Sequence, residues 1–512
     1  MINEQMEILE MKVEPSSPEE IKIQRRNGLI YQMTMSLFAT FSVLGPAMGF
    51  GYSAVIIPTL RSGRSNFTVD NDQVSWIASA AAIGTPIGCI LSSFIMRKGR
   101  RMSLLTTSTF SLIGWFLIYM STNYENLIVG RIIGGIATGL ASVPATVYTA
   151  EITESAWRST VVTWSSIAIA LGILIVYIFG YIIEDNWRLI ALLCGLFPAS
   201  AIILTLLSIP ESPMWLRDHG RIDEAKIIIK KFRGIPKNCQ ITSEVTDELI
   251  NTKQHQQSQH NYRKKSLVDN IKKRSSLQPF IIMLMYFFFQ QFSGIFVIVY
   301  YAVDITTEAG MEINPFIGAI LIGFTRLIGA ILVSCASKKW GRRVPSIVSG
   351  TGMTIFMGIL ALYLFSKNQG CKINDQGVIP AICIMSYIFM STIGFLCLPF
   401  AMVGEIYPAK VKDVLSGLTT CIAYIFSFIS VKTYPGMINI MGKHGVFCFY
   451  ALMSLLGTIF VILFLPETKG KTLNDIDQLF SIKKNRQHDI IDEEKIIPLN
   501  NNNNITIISD KR

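Results

Sequence analysis

Long apolar runs recur along the chain, each close to the length of a helix that crosses a lipid bilayer. A hydrocarbon core about 30 Å thick takes about 20 apolar residues in helix, and a helix satisfies its own backbone polar groups there. That criterion predicts about twelve spans, near 31–57, 73–96, 102–121, 125–149, 158–183, 187–209, 277–303, 314–337, 344–366, 379–404, 413–435 and 443–465. The polar segments between them alternate in charge. RKGRR (97–101) and KKWGRR (338–343) stand at one set of turns, EDNW (184–187) and DITTEAGME (304–312) at the other. The long polar stretch 210–276 gathers Arg217, Arg221, Lys230 and Lys231, then Arg263, Lys264 and Lys265. The positive-inside rule places this stretch, the two GRR turns and both termini in the cytoplasm. The pattern therefore predicts an all-α membrane protein: a tail 1–30, a six-helix bundle 31–209, a cytoplasmic linker 210–276, a second bundle 277–465 and a tail 466–512.

Composition supports this and removes other classes. Half of the residues are hydrophobic, 16% are charged and the mean hydropathy is +0.43, a balance foreign to a soluble multidomain protein. The net charge of +11 lies in short runs between apolar segments rather than in one stripe, so it reports topology and not a nucleic-acid partner. Most of the nine cysteines fall inside apolar runs, and no CxxC pair or Cys/His cluster suggests a disulfide framework, a metal or another cofactor. No loop carries a nucleophile–base set, so an enzyme is not expected. The start, MINEQMEILEMKVEPSSPEE, has no basic-then-apolar leader, and the first apolar run is expected to act as an internal signal anchor. In the first outer loop Asn66-Phe67-Thr68 is a glycosylation sequon, with a chance match as the bland alternative. RIDEAKIIIKKFRG (221–234) reads as an amphipathic helix against the inner face. The low-complexity QHQQSQHNYRKK (254–265) and the tail from 483 are expected to be disordered.

An internal repeat organises the motifs. Gly99 and Gly341 of the two GRR turns are 242 residues apart, Glu151 of AEITES and Glu405 of GEIYPAK are 254 apart, and Glu211 of PESP and Glu467 of PETKG are 256 apart. Three unlike motifs in one order at nearly one offset indicate two homologous halves. With Gly130-Arg131 in segment four, QQFSGI (290–295) in segment seven and GEIYP (404–408) after segment ten, this set resembles the sugar porter family of the major facilitator superfamily, from about residue 30 to 475. The arginine of segment eight and KTYPG (432–436) are most similar to insect facilitated trehalose transporters. The resemblance implies two pseudo-symmetric six-helix bundles rocking around a central sugar site, in a multi-pass plasma-membrane protein whose functional unit is a monomer.

Several residues are candidates for that site. Gln290 and Gln291 interrupt an apolar helix, where an unpartnered amide costs on the order of a few kcal/mol. An amide donates and accepts, which suits a sugar hydroxyl, though spacing fits interhelical glue equally well. The resemblance favours sugar contact. Tyr300 and Tyr301 match the family's outer gate and also suit interfacial anchoring. Gly394 and Pro399 interrupt segment ten as a hinge of the gate or as a static kink. Arg326, mid-way along segment eight, must face a cavity or a partner; many sugar porters carry an asparagine there, so it lines the site or is pinned by carbonyls. Arg131 is expected to face the bundle as well. By resemblance Arg100, Arg101, Arg342 and Arg343, with Glu151 and Glu405, form an inner salt-bridge latch that breaks and re-forms during rocking. Cytoplasmic anchoring alone explains the arginines but not the glutamates.

Departures from the family pattern limit the substrate. Ser166 replaces a glutamine, Phe296 and Ala423 replace asparagines, and Phe400 replaces a tryptophan. Each lost hydrogen bond is worth about 0.5–1.5 kcal/mol, so a glucose-like pose is weakened. A larger, less polar cavity fits a disaccharide, a polyol or an unrelated small molecule. Met96 and Lys338 stand where the GRR motif has an acid, which weakens the latch. Ser53, in GFGYS, occupies the place of the aspartate found in similar proton-driven porters, and serine does not titrate near neutral pH. The five histidines (His219, His255, His260, His444, His488) offer no relay inside the spans. Facilitative uniport of trehalose or a hexose is the expectation, with a proton symporter or a non-transporting sensor as alternatives.

Overall fold

The computed structural model describes residues 18–63, 67–235, 273–336, 341–370, 375, 377–408 and 411–467, with no strand among them. Asn66, Lys338, the low-complexity run 254–265 and the tail from 483 lie outside the described residues.

The first half contains α1 (Pro18–Phe41), α2 (Leu44–Arg61), α3 (Asn71–Ile95), α4 (Arg100–Met120), α5 (Tyr124–Ala141), α6 (Pro144–Ile152), α7 (Ser155–Val162), α8 (Trp164–Ile182) and α9 (Trp187–Leu207). Two short helices follow, α10 (Pro213–Asp218) and α11 (Ile222–Arg233). The second half contains α12 (Arg274–Phe292), α13 (Ile295–Tyr300), α14 (Ala302–Glu308), α15 (Pro315–Ala336), α16 (Arg343–Asn368), α17 (Val378–Ile393), α18 (Leu398–Val403) and α19 (Lys412–Phe464). Side-chain caps fix several starts. Asp70 accepts from the Gln73 amide at 2.7 Å while Gln73 reaches back to the Asp70 amide at 3.1 Å, a capping box that opens α3.

Ten helices among the described residues are long and apolar enough to cross a bilayer. The difference from twelve arises at two places. The seventh predicted span is broken at Ser293-Gly294, where Gly294 sits at φ 90°, and again at Tyr301, giving α12, α13 and α14. The last two predicted spans share α19, whose 53 residues are two helices meeting at Gly442 (φ 69°, ψ 170°). His444 lies two residues past that break, against Phe365 at 5.7 Å, so one histidine does stand within a helical span, at its end.

Within the first half α5 packs on α3 and α4, α4 on α9, and α2 on α8; within the second, α16 packs on α17 and α19, α12 on α19, and α15 on α17. The halves meet where α3 packs on α19 and α8 on α15. The α3–α5 contact is backbone on backbone, since a Cβ on Gly135 would stand 1.9 Å from the Ala81 carbonyl oxygen. The amphipathic helix expected at 221–234 is α11, which buries Ala225, Ile229 and Phe232 and is tied to α1 by Gln32 Nε2 donating to the Phe232 carbonyl at 2.8 Å.

At the end of the bundles away from the GRR turns, two ion pairs join the halves: Arg61–Asp304 at 3.1 Å and Lys432–Asp72 at 2.7 Å. The Lys432 ammonium also lies 4.3 Å from the Trp76 ring centre.

Candidate substrate-binding site

The chain leaves helix between Ile393 and Leu398, because Gly394 takes φ −135°, ψ −76° and Pro399 supplies no amide hydrogen to continue the ladder. That unwinding frees carbonyls inside the protein, which need donors. Gln290 supplies them, its Nε2 donating to Phe395 O at 2.7 Å and Leu396 O at 3.0 Å. Ser349 Oγ accepts from the Phe395 amide at 3.0 Å and donates to Met390 O at 2.7 Å. Gln290 is thus held by the kink of α17–α18, which answers to the interhelical-glue reading of its amide.

Gln291 differs. Its Nε2 makes only a long contact of 3.4 Å to Gln290 Oε1, and its own Oε1 is buried without a hydrogen-bond partner. Its backbone carbonyl accepts from Ser430 Oγ at 2.8 Å. An orphaned acceptor on a fully buried side chain is an unmet demand that a ligand hydroxyl would meet.

Arg326 projects from α15 towards the other half and is 6% exposed. The groups that act electrostatically on its guanidinium are Cys397, Tyr177 and Tyr300, and no described residue accepts a hydrogen bond from it. Ser166, on α8 of the first half, lies beside the Cys397 thiol and acts on it electrostatically. The unwound segment 394–397 is therefore a meeting point for Ser166, Gln290 with its neighbour Gln291, and Arg326. Phe296 and Tyr300 are drawn in through Phe50, whose ring centre lies 6.1 Å and 5.9 Å from theirs. Tyr301 packs against Tyr434 with ring centres 4.8 Å apart and planes tilted by 40°, nearer the Arg61–Asp304 end. Phe400 packs between Phe287 at 4.9 Å and Tyr424 at 6.1 Å.

Arg131, 2% exposed, is by contrast fully engaged. It donates to Gly49 O at 2.7 Å, to Ile77 O at 3.2 Å and to Ser53 Oγ. Beside it lies a cavity of about 20 Å³, bordered by Gly49, Ser111, Trp115, Gly134 and Thr138, with room for one water.

At the GRR turns the two halves repeat one construction. Arg100 pairs with Glu151 and Arg342 with Glu405, each at 2.7 Å. Glu211 accepts from the Arg100 and Arg101 amides at 2.8 and 3.2 Å; Glu467 accepts from the Arg342 and Arg343 amides at 2.8 and 3.0 Å. Each carboxylate thus sits on a helix N-terminus, where free amides and the helix dipole favour it. The Arg101 and Arg343 guanidiniums turn instead to carbonyls near the ends of α9 and α19, Leu206 O at 2.6 Å and Ile462 O. These ion pairs each join residues of a single half. Between halves at this end, Thr163 Oγ1 and Ser334 Oγ share a hydrogen bond of 2.6 Å. In the sequence Glu211 and Glu467 mark only the repeat, and their recurrence in the same order after the two glycines, 112 and 126 residues on, is the signal that they belong to the same constructions. Among the described residues no cluster of His, Cys, Asp or Glu could hold a metal.

The facilitated trehalose transporter Tret1 of Aedes aegypti is 30% identical over 448 residues, 86% of this chain and 54% of that protein. Tret1 of Polypedilum vanderplanki is 29% identical over 455 residues, 88% of each. The chain spans about half the length of several such relatives, including 52% of Tret1 from Drosophila mojavensis. Among solved structures, the major facilitator superfamily proton:xylose symporter XylE bound to 6-bromo-6-deoxy-D-glucose superposes with a TM-score of 0.72 at 22% identity, covering 88% of this chain and 99% of that one. The partially occluded inward-open form of XylE from E. coli gives 0.71 at 22% identity, covering 86% and 99%. The fold is that of the major facilitator sugar porters. A family model described as sugar (and other) transporter matches residues 33–480, and the chain belongs to that family.

Proposed function

We propose that the chain is a facilitative carrier that moves a sugar, trehalose or a hexose, down its gradient by alternating access between bundles 31–209 and 277–465. The observation that carries the uniport reading is Ser53 against Arg131. A carrier that couples protons through this arginine needs a titrating partner for it, and here the buried arginine is satisfied by a hydroxyl and two carbonyls. The relatives named as facilitated trehalose transporters support the substrate class.

In this reading the protein sits in the plasma membrane with both termini cytoplasmic, and a monomer is the working unit. The Arg61–Asp304 and Lys432–Asp72 pairs then close the extracellular mouth. Gln291, Arg326 and Ser166 line the substrate path with Phe296 and Phe400. Tyr300, Tyr301 and Pro399 belong to the outer gate, and Gln290 holds the kink that shapes it. The GRR constructions keep each cytoplasmic face rigid while the halves rock.

Uptake of labelled trehalose beside labelled glucose, in oocytes with and without a protonophore, tests the proposal. Entry that saturates, equilibrates and ignores the protonophore is expected. Accumulation above the external concentration that collapses with the protonophore would overturn the uniport reading.

A further inference from the structure

Arg326 asks more of a substrate than a neutral sugar supplies. It is a permanent cation, buried to 6% exposure in the middle of α15, with the Cys397 thiol and the Tyr177 and Tyr300 phenols as its electrostatic neighbours. The helices around it carry no acid: α8, α12, α13, α15, α17 and α18 contain neither Asp nor Glu. The acids of α3 and α5 lie in their first turns, and α2 has none. Asp304 of α14 is already paired with Arg61. The other buried arginine of the centre, Arg131, shows what satisfaction looks like, with three acceptors held by its own half. Arg326 has no such acceptor among the described residues. A buried cation without a counter-charge is strongly unfavourable, and an anionic ligand relieves it.

The neighbouring polar groups extend the specification. Gln291 Oε1 is buried and unpartnered, so the site asks for a hydroxyl donor as well as for an anion. We infer that the preferred substrate is a polyhydroxy monocarboxylate, a sugar acid whose carboxylate takes the Arg326 guanidinium in a two-pronged hydrogen-bonded pair while its hydroxyls meet Gln291. A planar carboxylate matches the fork of a guanidinium. One guanidinium balances one negative charge, which favours a carboxylate over a doubly charged phosphate ester. This inference rests on the carrier reading above, and changes the solute it carries.

Ligand-induced thermal stabilisation of the purified protein tests it without requiring transport. The probes are D-glucuronate, its neutral methyl ester, D-glucose, trehalose and glucose 6-phosphate. Glucuronate is expected to bind at least tenfold more tightly than its methyl ester and than either neutral sugar. Arg326→Gln should erase that preference without lowering the melting temperature of the ligand-free protein, and Arg326→Lys should retain part of it, since the charge stays but the fork is lost. If Arg326→Gln does not fold, the ratio of glucuronate to its methyl ester in the wild type decides alone. Equal binding of the acid and its ester, or tighter binding of glucose or trehalose, overturns the inference. Tightest binding of glucose 6-phosphate overturns the carboxylate assignment. Uptake of glucuronate should also carry inward negative charge, read as a current under voltage clamp. Neutral-sugar uptake without that current leaves the uniport proposal standing and refutes this one; glucuronate binding without any uptake does the reverse.

Discussion

Gln290 and Gln291 are neighbours of one residue type with opposite predicted behaviour. Gln290→Ala removes two donors at once, leaving Phe395 O and Leu396 O without partners in residues that are 0% and 7% exposed. A buried carbonyl left unsatisfied costs about 1–3 kcal/mol, so the variant should lose about 2–6 kcal/mol, concentrated at the α17–α18 kink. Gln291→Ala removes one contact of 3.4 Å and an acceptor that was already orphaned, which should leave stability unchanged or slightly raised. Substrate binding should respond the other way. Gln291→Ala is expected to weaken it by the value of one hydrogen bond, about 0.5–1.5 kcal/mol or two- to tenfold, with normal melting. Gln290→Ala should show low surface expression and an early thermal transition. Thermal unfolding in detergent, followed by chromatography of the surviving monodisperse protein, separates the two effects from uptake. Gln290→Ala melting like wild type while losing substrate affinity would refute the assignment of Gln290 to the kink. Marked destabilisation by Gln291→Ala would refute the orphaned acceptor.

Asp304→Asn should weaken closure of the extracellular mouth by about 0.5–1 kcal/mol, raising labelling of a cysteine placed at Phe296 by an impermeant thiol reagent two- to fivefold. Asp72→Asn should do less, because Asp72 is 76% exposed against 15% for Asp304; a larger effect at Asp72 would overturn the ranking. Gly99→Ala should abolish expression, since Gly99 has φ 141° and the added Cβ would stand 2.4 Å from Glu211 Oε2, whereas Gly134→Ala, with open space at its Cβ, should express at least as well as wild type. Uptake by the wild type should be flat from mildly acidic to mildly alkaline pH, and a steep rise on acidification would count against Ser53 as the partner of Arg131.

The helices were largely legible because a bilayer imposes a length and a polarity that the sequence must display. What periodicity could not reveal was interruption. The breaks at Gly294 and Tyr301 fall inside one apolar stretch of span length, so the seventh span reads as a single helix until the backbone is seen. At Gly442 the sequence did separate two spans, 413–435 and 443–465, and the two helices meet there with no loop between them. At the site, the glutamine pair was visible as polarity in an apolar helix, but only the unwound segment 394–397 tells the two amides apart, because that depends on which backbone carbonyls were freed nearby. Arg131 and Arg326 looked alike in sequence, each a lone charge in a span. Their partners, or lack of them, come from other helices and leave no local trace. Ser53 was legible because it occupies a named place in a motif, and the structure sets it directly against Arg131.

The duplicated GRR constructions also bear on how such a chain can change over generations. In each half a carboxylate fills the space where a methyl group at the glycine would lie, with Glu211 Oε2 and Glu467 Oε2 each 2.4 Å from that position. Neither partner can drift alone: a side chain at the glycine collides with the acid, and a neutral replacement of the acid strips two helix amides of their acceptor. Glycine and glutamate must therefore be inherited as a unit, 112 residues apart in the first half and 126 in the second. Once an ancestral half is copied, loops and cavity residues of the two descendants are free to change one at a time, whereas these interlocked pairs persist as fixed marks of common descent.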